Sequence, residues 1–293
     1  MSLGPAVAGY PADLLDLVED YLAALDFGAD RRAARLTEAM RYSLLAGGKR
    51  IRPVLTLATA RGRGADPAVV LPTAAALELI HTYSLIHDDL PAIDDDTLRR
   101  GRPTCHVAYG EDVAILAGDG LFAEAFNLVL ARQTGGPGTV LAALAEIAAA
   151  TGVQGMVGGQ YMDVAGKVAA DEDLRTLHVL KTGRLIEAAV VCGALLSGAE
   201  DVASYRAFAG ELGLLFQIVD DILDETGAVD ELGKSVGKDR AMDKVTYVSR
   251  FGMARAAALA DEAEDRALEL LGALPGDASD LASVTGFIHD RRR

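Results

Sequence analysis

Apolar residues recur at the three- and four-residue spacing of an α-helix along most of this chain. The first run would share one helix face and consists of Leu14, Leu15, Val18, Tyr21, Leu22 and Leu25. Similar runs cover residues 31–46, 51–62, 70–90, 111–133, 138–158, 171–197, 201–225, 240–271 and 278–290. No segment alternates apolar and polar residues between turn signals, so no β-sheet is predicted. We therefore expect an all-α fold, a bundle of roughly ten or more helices.

Short breaks rich in glycine or proline separate the helical runs, as at residues 47–48, 62–67, 101–103 and 227–237. None of them is long or polar enough to link two domains, and the sequence contains no internal repeat or low-complexity tract. We expect a single domain over residues 1–293.

The charge balance excludes some classes of partner. The 28 lysine and arginine residues face 43 aspartate and glutamate residues, a formal net charge of −15. This excess of carboxylates disfavours binding to nucleic acids or to anionic membranes. The alanine-rich stretch 140–153 contains Glu146, which makes it a poor membrane span, and no signal-peptide pattern is recognised. Cys105 and Cys192 form no disulfide framework, so we expect a cytoplasmic protein without a membrane span.

A dense group of aspartates follows the apolar run 70–90, with five of them between Asp88 and Asp96. Their charges repel one another, and aspartates near a helix C-terminus oppose the helix macrodipole. A bound cation would relieve both penalties, whereas a solvated acidic surface is the alternative interpretation.

A second acidic group lies about 130 positions later, at Asp220, Asp221 and Asp224. The spacing places the three carboxylates within about 100° of one helix face, and Gln217 lies one turn before them. The intervening residues are apolar, which indicates an otherwise buried helix.

Two facing aspartate groups suit magnesium, which binds through a few carboxylates and substrate phosphates. A di-iron site in a helix bundle would need two Glu-x-x-His motifs. The sequence contains one, from Glu78 to His81, so iron is excluded by the number of ligands.

Basic residues beside helix breaks are candidate phosphate ligands. Lys49 and Arg52 flank a Gly-Gly turn, although an ordinary loop would look the same. Arg99 and Arg100 follow the first aspartate group and could equally compensate its charge. His81 shares a helix face with Asp88, although a core histidine is the plainer interpretation.

Further lysines lie in two later segments, Lys181-Thr182-Gly183 and the glycine-rich stretch 227–247. The second segment is interpreted either as a solvated loop or as a loop that closes over a diphosphate and excludes water.

Together these motifs resemble the trans-prenyl diphosphate synthase family, with the bacterial farnesyl diphosphate synthase type as the nearest pattern. The resemblance is carried, in family order, by residues 47–53, 80–96, 98–104, 159–163, 181–183, 216–224 and 234–239. Ile93 and Thr97 depart from the usual residues, and neither is a predicted primary ligand. Pro91-Ala92 matches the bacterial insertion, and we expect Pro91 to distort the helix so that Asp88 and Asp94 converge.

The resemblance implies an isoprenoid synthase fold, with helices around a central cavity, and a homodimer. It also implies condensation of isopentenyl diphosphate with an allylic diphosphate, either dimethylallyl or geranyl, by ionisation, condensation and elimination. The implied cofactor is Mg²⁺, as three ions bound with the substrate diphosphate.

Residue roles follow from the same resemblance. The implied magnesium ligands are Asp88, Asp94 and Asp220, supported by Asp89, Asp221 and Asp224. The implied allylic diphosphate ligands are Arg99, Lys181, Gln217, Lys234 and Lys244. The implied isopentenyl diphosphate ligands are Gly48, Lys49, Arg52, His81 and Arg100, and Thr182 would act near the allylic cation.

The length of the product is expected to depend on Tyr83, with Ser84 beside it. Tyr83 lies five residues before Asp88, about 7 Å deeper along a helix, where a ring could close the floor of the pocket. Core packing is the alternative role. The resemblance links an aromatic residue here to a fifteen-carbon product, so farnesyl diphosphate is predicted and geranylgeranyl diphosphate is the alternative. A class I terpene cyclase and a non-catalytic synthase subunit are remoter alternatives.

Overall fold

A computed structural model describes residues 9–28, 30–166, 170–226 and 245–291. Its α-helices are α1 (Ala12–Ala23), α2 (Ala34–Leu44), α3 (Ile51–Gly62), α4 (Leu71–Asp88), α5 (Cys105–Tyr109), α6 (Glu111–Arg132), α7 (Pro137–Thr151), α8 (Met156–Val164), α9 (Asp171–His178), α10 (Arg184–Leu196), α11 (Ala203–Thr226), α12 (Tyr247–Phe251), α13 (Met253–Gly272) and α14 (Ser279–Asp290). Short 3₁₀ turns cover Arg31–Ala33 and Pro67–Val70, and a π-turn covers Val179–Gly183. The predicted all-α bundle is confirmed.

Four local features differ from the sequence prediction. The described part of the predicted helix 240–271 is two helices, because α12 ends at Phe251 and α13 begins at Met253, after Gly252. A two-stranded antiparallel sheet pairs β1 (Leu98–Arg99) with β2 (Arg102–Pro103), although no sheet was expected. The ladder is only two residues long, too short to show apolar alternation. The predicted helix 138–158 is two helices, because α7 ends at Gly152, whose backbone is extended, and α8 begins at Met156. The predicted helix 171–197 is interrupted by the π-turn.

Helix α10 lies at the centre of the bundle and packs against α3, α4, α7 and α11. Nearly all of its side chains are buried, and burial of each large apolar side chain stabilises the fold by about 1.5–3 kcal/mol. Gly193 permits the close approach of α10 to α3, because a Cβ there would lie 2.5 Å from the carbonyl oxygen of Thr56. This packing fixes the position of the π-turn, which directly precedes α10 and is partly buried.

Three helical stretches are long and apolar enough to cross a membrane by length and composition alone: Pro67–Asp88, Glu111–Arg132 and Pro137–Val164. In the fold, α4 is an interior helix whose sides contact α3, α6 and α10. Helices α6, α7 and α8 pack on the bundle with one face and expose apolar residues on the other. Length and composition alone do not make these helices membrane spans, and no membrane span is inferred from them.

Candidate active site

The first aspartate group lies where α4 ends, and the chain turns sharply there. Helix α4 stops at Asp88, three residues before Pro91. The backbone N–H of Asp94 donates to the carbonyl oxygen of Asp88 at 2.9 Å, and that of Asp96 donates to Asp89 at 3.2 Å. The turn brings Asp88 and Asp94 together. The expected convergence is therefore produced by ending the helix before Pro91, not by a kink within it.

Asp88 carries a poorly compensated negative charge. Burial is the largest influence on this carboxyl and raises the pKa of Asp88 to about 6. The charges of Asp94 and Asp89 act in the same direction, whereas Lys181 and Arg99 oppose them. A half-buried carboxylate surrounded by like charges is the donor chemistry that a hard divalent cation stabilises. The residues at this turn therefore fit magnesium.

Arg99 is bound to the first aspartate group by a forked ion pair. Its Nε lies 2.9 Å from both carboxylate oxygens of Asp89, and Nη2 lies 2.6 Å from Oδ1. Asp96 is a second partner at 3.8 Å. Burial raises the pKa of Asp89 although the Arg99 bonds lower it. The hairpin of β1 and β2 thus holds Arg99 at the edge of the aspartate turn, where its guanidinium compensates the charge of Asp89. Binding of a diphosphate by Arg99 stays a prediction.

The second aspartate group lies on α11, as the spacing predicts. Asp221 and Asp224 are buried, and Asp220 is partly exposed. Gln217 connects this group to the π-turn, since its Nε2 donates to Asp221 at 2.8 Å and its Oε1 accepts from the Thr182 hydroxyl at 3.1 Å. Predicted site residues from two distant segments therefore meet in one hydrogen-bonded network.

Lys181 lies on the π-turn, next to Thr182, and its charge acts on the first aspartate group. Its ammonium pairs with Asp163 at 2.6 Å and lowers the pKa of Asp88. The turn is packed tightly from one side, because a Cβ at Gly159 would lie 2.2 Å from the Lys181 backbone nitrogen. On the other side, a Cβ at Gly213 would lie 3.0 Å from the Cα of Gly183. Close packing at two glycines fixes the π-turn that carries Lys181, and π-turns recur at functional sites.

We use the name basic cradle for five predicted anion ligands: Gly48, Lys49, Arg52, His81 and Arg100. The Arg100 guanidinium lies 2.6 Å from the position of a Cβ on Gly48, so it covers the glycine directly. The Lys49 carbonyl oxygen accepts a 2.7 Å hydrogen bond from Tyr10, and its ammonium lies 5.4 Å from the ring centroid of Phe287.

Arg52 is the buried cation of the basic cradle, and it lies close enough to the second aspartate group for the charge of Asp220 to act on it. Burial lowers the pKa of Arg52 more than the charges of Glu78 and Asp220 raise it. The Nε atom of Arg52 is buried and has no hydrogen-bond partner. Burial and the neighbouring arginines hold the pKa of His81 well below its usual value, so this imidazole is neutral at pH 7. A buried arginine with an unpartnered donor, beside further basic residues, is suited to an anion.

Sequence reasoning missed two arginines at this site. Arg50 has a fully buried side chain and pairs with Glu19 and Glu78 at 2.7 Å each, which anchors the glycine turn. Arg291 pairs with Asp220 at 3.3 Å and lies over the Phe216 ring. The available signals were the basic string 49–52 and the three arginines that end the sequence, but neither identifies these partners.

Tyr83 is buried on α4 and its ring contacts two aromatic neighbours. Phe122 of α6 lies at 5.1 Å and His87 at 5.8 Å between ring centroids, both edge to face. The Ser84 hydroxyl donates to the carbonyl oxygen of His81 at 2.8 Å, so it is occupied within the helix.

Lys234 and Lys244 lie outside the described residues. Within the described ranges, no three His, Cys, Asp or Glu side chains converge closely enough to hold a metal ion alone.

Comparisons with known proteins point to one family. The polyprenyl synthetase family model matches residues 33–285. The chain is 49% identical over 229 residues to the farnesyl diphosphate synthase of Geobacillus stearothermophilus, covering 76% of this chain and 77% of that protein. It is 45% identical over 260 residues to the geranylgeranyl diphosphate synthase of Cyanophora paradoxa, covering 87% of each. A Helicobacter pylori geranyltransferase structure, complexed with magnesium and isoprenyl diphosphate, superposes with a TM-score of 0.85 at 30% identity, covering 99% of this chain and 98% of that one.

Proposed function

The chain belongs to the polyprenyl synthetase family, and from that premise we propose that it condenses isopentenyl diphosphate with dimethylallyl or geranyl diphosphate to make farnesyl diphosphate. The observation that carries the proposal is the π-turn, because its Lys181 is close enough to Asp88 to lower the pKa of that carboxyl and its Thr182 is bonded to Gln217 beside the second aspartate group. We propose that one domain spanning residues 1–293 performs this reaction in the cytoplasm.

The allylic diphosphate is assigned to the space between the aspartate groups. Asp88 and Asp94 on one side and Asp220 on the other would hold the magnesium ions, three in number, together with the substrate. Magnesium, when bound, would stabilise the negative charge that develops on diphosphate as the carbon–oxygen bond breaks. Lys181 and Arg99 would add positive charge directly, and Lys234 and Lys244 are assigned to the same group.

Supporting contacts orient these ligands. Asp89 holds the guanidinium of Arg99, and Asp221 holds the amide of Gln217. Asp224 is buried one turn further along α11. Thr182, bonded to Gln217, would lie near the allylic cation, which must be kept from water in an apolar pocket.

Isopentenyl diphosphate is assigned to the basic cradle, where Arg52 is buried with an unpartnered Nε and the half-buried Arg100 covers Gly48. Neutral His81 would donate one hydrogen bond without adding charge. The double bond of this substrate attacks the allylic cation, and the released pyrophosphate accepts the proton that is lost. No protein base is required.

The decisive experiment incubates the purified protein with Mg²⁺, isopentenyl diphosphate and each allylic primer in turn, followed by product sizing. We expect farnesyl diphosphate from dimethylallyl and geranyl primers, and twenty-carbon product would instead support a geranylgeranyl synthase. Consumption of a primer without isopentenyl diphosphate would indicate a terpene cyclase. Absence of condensation with every primer would sink the proposal, and activity appearing only with a partner synthase would indicate a non-catalytic subunit.

Replacement of Tyr83 by alanine is expected to shift the product from fifteen to twenty or more carbons. The ring stands about one and a half turns below Asp88, and its removal opens space between α4 and Phe122. Tyr83→Phe is the matched control, because it keeps the ring and loses only the hydroxyl, and it should still make farnesyl diphosphate. An unchanged chain length in Tyr83→Ala, measured by chromatography of the hydrolysed products, would assign this ring to core packing.

A homodimer is proposed through the outer faces of α6, α7 and α8. Leu130 on α6 is 67% exposed, Leu141 on α7 is 61% exposed and Val153 before α8 is 75% exposed. The exposed apolar residues repeat at helical spacing on consecutive helices that contact each other. Soluble monomers rarely expose apolar surface on this scale, and a two-fold symmetric contact would bury the same face on both copies.

The double substitution Leu130→Asp and Leu141→Asp is expected to convert the dimer to a monomer, as measured by light scattering. Charges buried in an apolar contact are strongly unfavourable. Leu268→Asp is the control, because Leu268 is an exposed leucine on α13, away from this face. A wild-type protein that is monomeric, or a double variant that stays dimeric, would refute this interface.

A further inference from the structure

Arg50 is a buried arginine at the glycine turn, and it has no direct role in the proposed reaction. It directly precedes α3, and its φ of 47° is the left-handed conformation that residues other than glycine rarely adopt. Three bonds hold its guanidinium: Nε donates to Glu19 at 2.7 Å, Nη1 to Glu78 at 2.7 Å and Nη2 to the carbonyl oxygen of Leu44 at 2.8 Å. Arg50 therefore joins α1, α2 and α4 through a single side chain.

The two other arginines beside this turn lack such partners. Arg52 is buried one residue inside α3, and the half-buried Arg100 covers Gly48. Within the part of the chain that the structure describes, the guanidinium groups of Arg52 and Arg100 make no ion pair and no hydrogen bond. Arginines are rarely buried unless they are paired, so two unpaired ones at one turn call for a physical reason.

The glutamates that would be their natural partners are close. Burial lowers the pKa of Arg52 and of Arg100, and the charge of Glu78 opposes the decrease at both. The charge of Glu19 opposes it at Arg100 as well. Arg50 binds both of these glutamates. Three arginines thus surround Glu78, and only one of them is paired with it.

Loss of the Arg50 charge would leave Glu78 without its partner. The Glu78 side chain is 2% exposed, so water cannot replace the lost ion pair, and an unpaired buried carboxylate is strongly unfavourable. A pair with Arg52 or Arg100 would relieve that penalty and would occupy the donors that an anion needs. The Glu19 side chain is 25% exposed, so solvent provides its alternative partner.

We propose that Arg50 is a positioning residue that binds Glu78 and thereby keeps the guanidinium groups of Arg52 and Arg100 available to an anion. The identity of that anion, the diphosphate of isopentenyl diphosphate, rests on the proposed function. This role differs from anchoring of the glycine turn, because removal of the Glu78 charge should make Arg50 dispensable for anion binding.

The test measures binding of isopentenyl diphosphate by calorimetry, without Mg²⁺ and without an allylic primer. Arg50→Met removes the charge and keeps an unbranched side chain. We expect its Kd to rise by about 10- to 100-fold, the loss typical of hydrogen bonds to charged groups. The double variant Arg50→Met, Glu78→Gln also removes the competing carboxylate, and its Kd should return to within about threefold of the wild type. Equal losses in the single and double variants would assign Arg50 to anchoring and overturn the proposal.

Arg61→Met is the matched control. Arg61 lies towards the other end of α3, about 16 Å along the helix axis from Arg50, and it also pairs with two carboxylates, Asp13 and Asp280. We expect a lower Tm and a Kd for isopentenyl diphosphate within about threefold of the wild type. A rise in Kd as large as that of Arg50→Met would show that loss of any such ion pair weakens binding, and the proposal would fail.

Thermal unfolding separates this role from a contribution to stability. Removal of one partner of a buried ion pair is strongly destabilising, whereas replacement of both partners is often tolerated. The double variant should therefore fold even where Arg50→Met does not, and tight binding by the folded double variant supports the proposal. A double variant that unfolds while Arg61→Met folds would assign Arg50 to the fold and overturn the proposal.

Inorganic pyrophosphate, titrated in the same way, distinguishes this proposal from the proposed function. The part of its binding that Arg52→Met removes is binding at the basic cradle. A wild-type protein that condenses no substrates would refute the proposed function. The role of Arg50 would then stand if binding of pyrophosphate at the cradle is lost in Arg50→Met and restored in the double variant, and it would fall if binding is not restored.

Discussion

Replacement of Asp88 or Asp220 by asparagine is expected to lower kcat by about 10²- to 10³-fold each, the loss typical of removing one transition-state stabiliser. Asparagine keeps the size of the side chain and removes the charge that would hold magnesium on either side of the diphosphate. Single-turnover condensation at saturating substrates is the measurement, repeated at raised Mg²⁺ to separate weakened metal binding from slowed chemistry.

Asp95→Asn supplies the matched control within the same cluster. Asp95 is exposed and has a φ of 49°, a conformation that asparagine adopts readily. The Asp95→Asn variant should retain activity within about threefold, because surface substitutions rarely change the free energy of unfolding by more than a few tenths of a kcal/mol. Equal losses in Asp88→Asn and Asp95→Asn would show that the cluster acts only through its total charge.

The same Asp88→Asn variant should be more stable than the wild type when magnesium is removed by chelation at pH 7. The folded-state pKa of Asp88 is raised to about 6, above the value of about 3.9 in an unfolded chain. Its stabilising contribution is therefore present below about pH 4 and is lost as the pH rises through 6, a change of up to about 3 kcal/mol. We expect a higher Tm for the variant at pH 7 and no difference at pH 4, measured by thermal unfolding.

A wild-type protein that gains stability from pH 4 to pH 7 while the variant does not would contradict the assigned shift. The combination of a stabilised fold and lost activity distinguishes a functional carboxylate from a structural one, because sites that bind ions are often strained without them.

Local periodicity predicted the parts of this fold that depend on local geometry. The helix bearing Asp220 and Asp224 follows from a 3.6-residue period, which also places Gln217 on their face. The end of α4 at Asp88 could have been predicted from the sequence, because Pro91 disfavours continuation of a helix. The hairpin was missed, since two-residue strands leave no pattern and depend on the position of the aspartate turn.

Contacts between distant segments were beyond sequence reasoning. Arg50 lies among basic residues that were expected to bind anions, yet its fully buried side chain pairs with Glu19 and Glu78. The pairing of Arg291 with Asp220 depends on how α14 packs against α11. A single sequence carries the residue types but not these pairings, because each partner is chosen by the packing of the whole bundle.

Replacement of Gly48 by alanine is expected to raise KM for isopentenyl diphosphate by about 10- to 100-fold and to leave KM for the allylic primer nearly unchanged. The new Cβ would lie 2.6 Å from the Arg100 guanidinium, far inside contact distance, so the arginine must leave its position in the basic cradle. Hydrogen bonds to charged groups contribute about 1.5–3 kcal/mol, which corresponds to that range. Steady-state kinetics with each substrate varied in turn is the measurement.

Gly47→Ala separates this steric effect from backbone strain. Both glycines have a positive φ, 85° at Gly47 and 134° at Gly48, so both substitutions strain the turn. A Cβ at Gly47 meets nothing within 4 Å. If displacement of Arg100 causes the weaker binding, Gly47→Ala should lower the stability of the protein with little change in KM. Gly48→Ala should lower the stability and also raise KM for isopentenyl diphosphate. Equal KM changes in the two variants would assign the effect to the turn itself and remove Arg100 from the cradle.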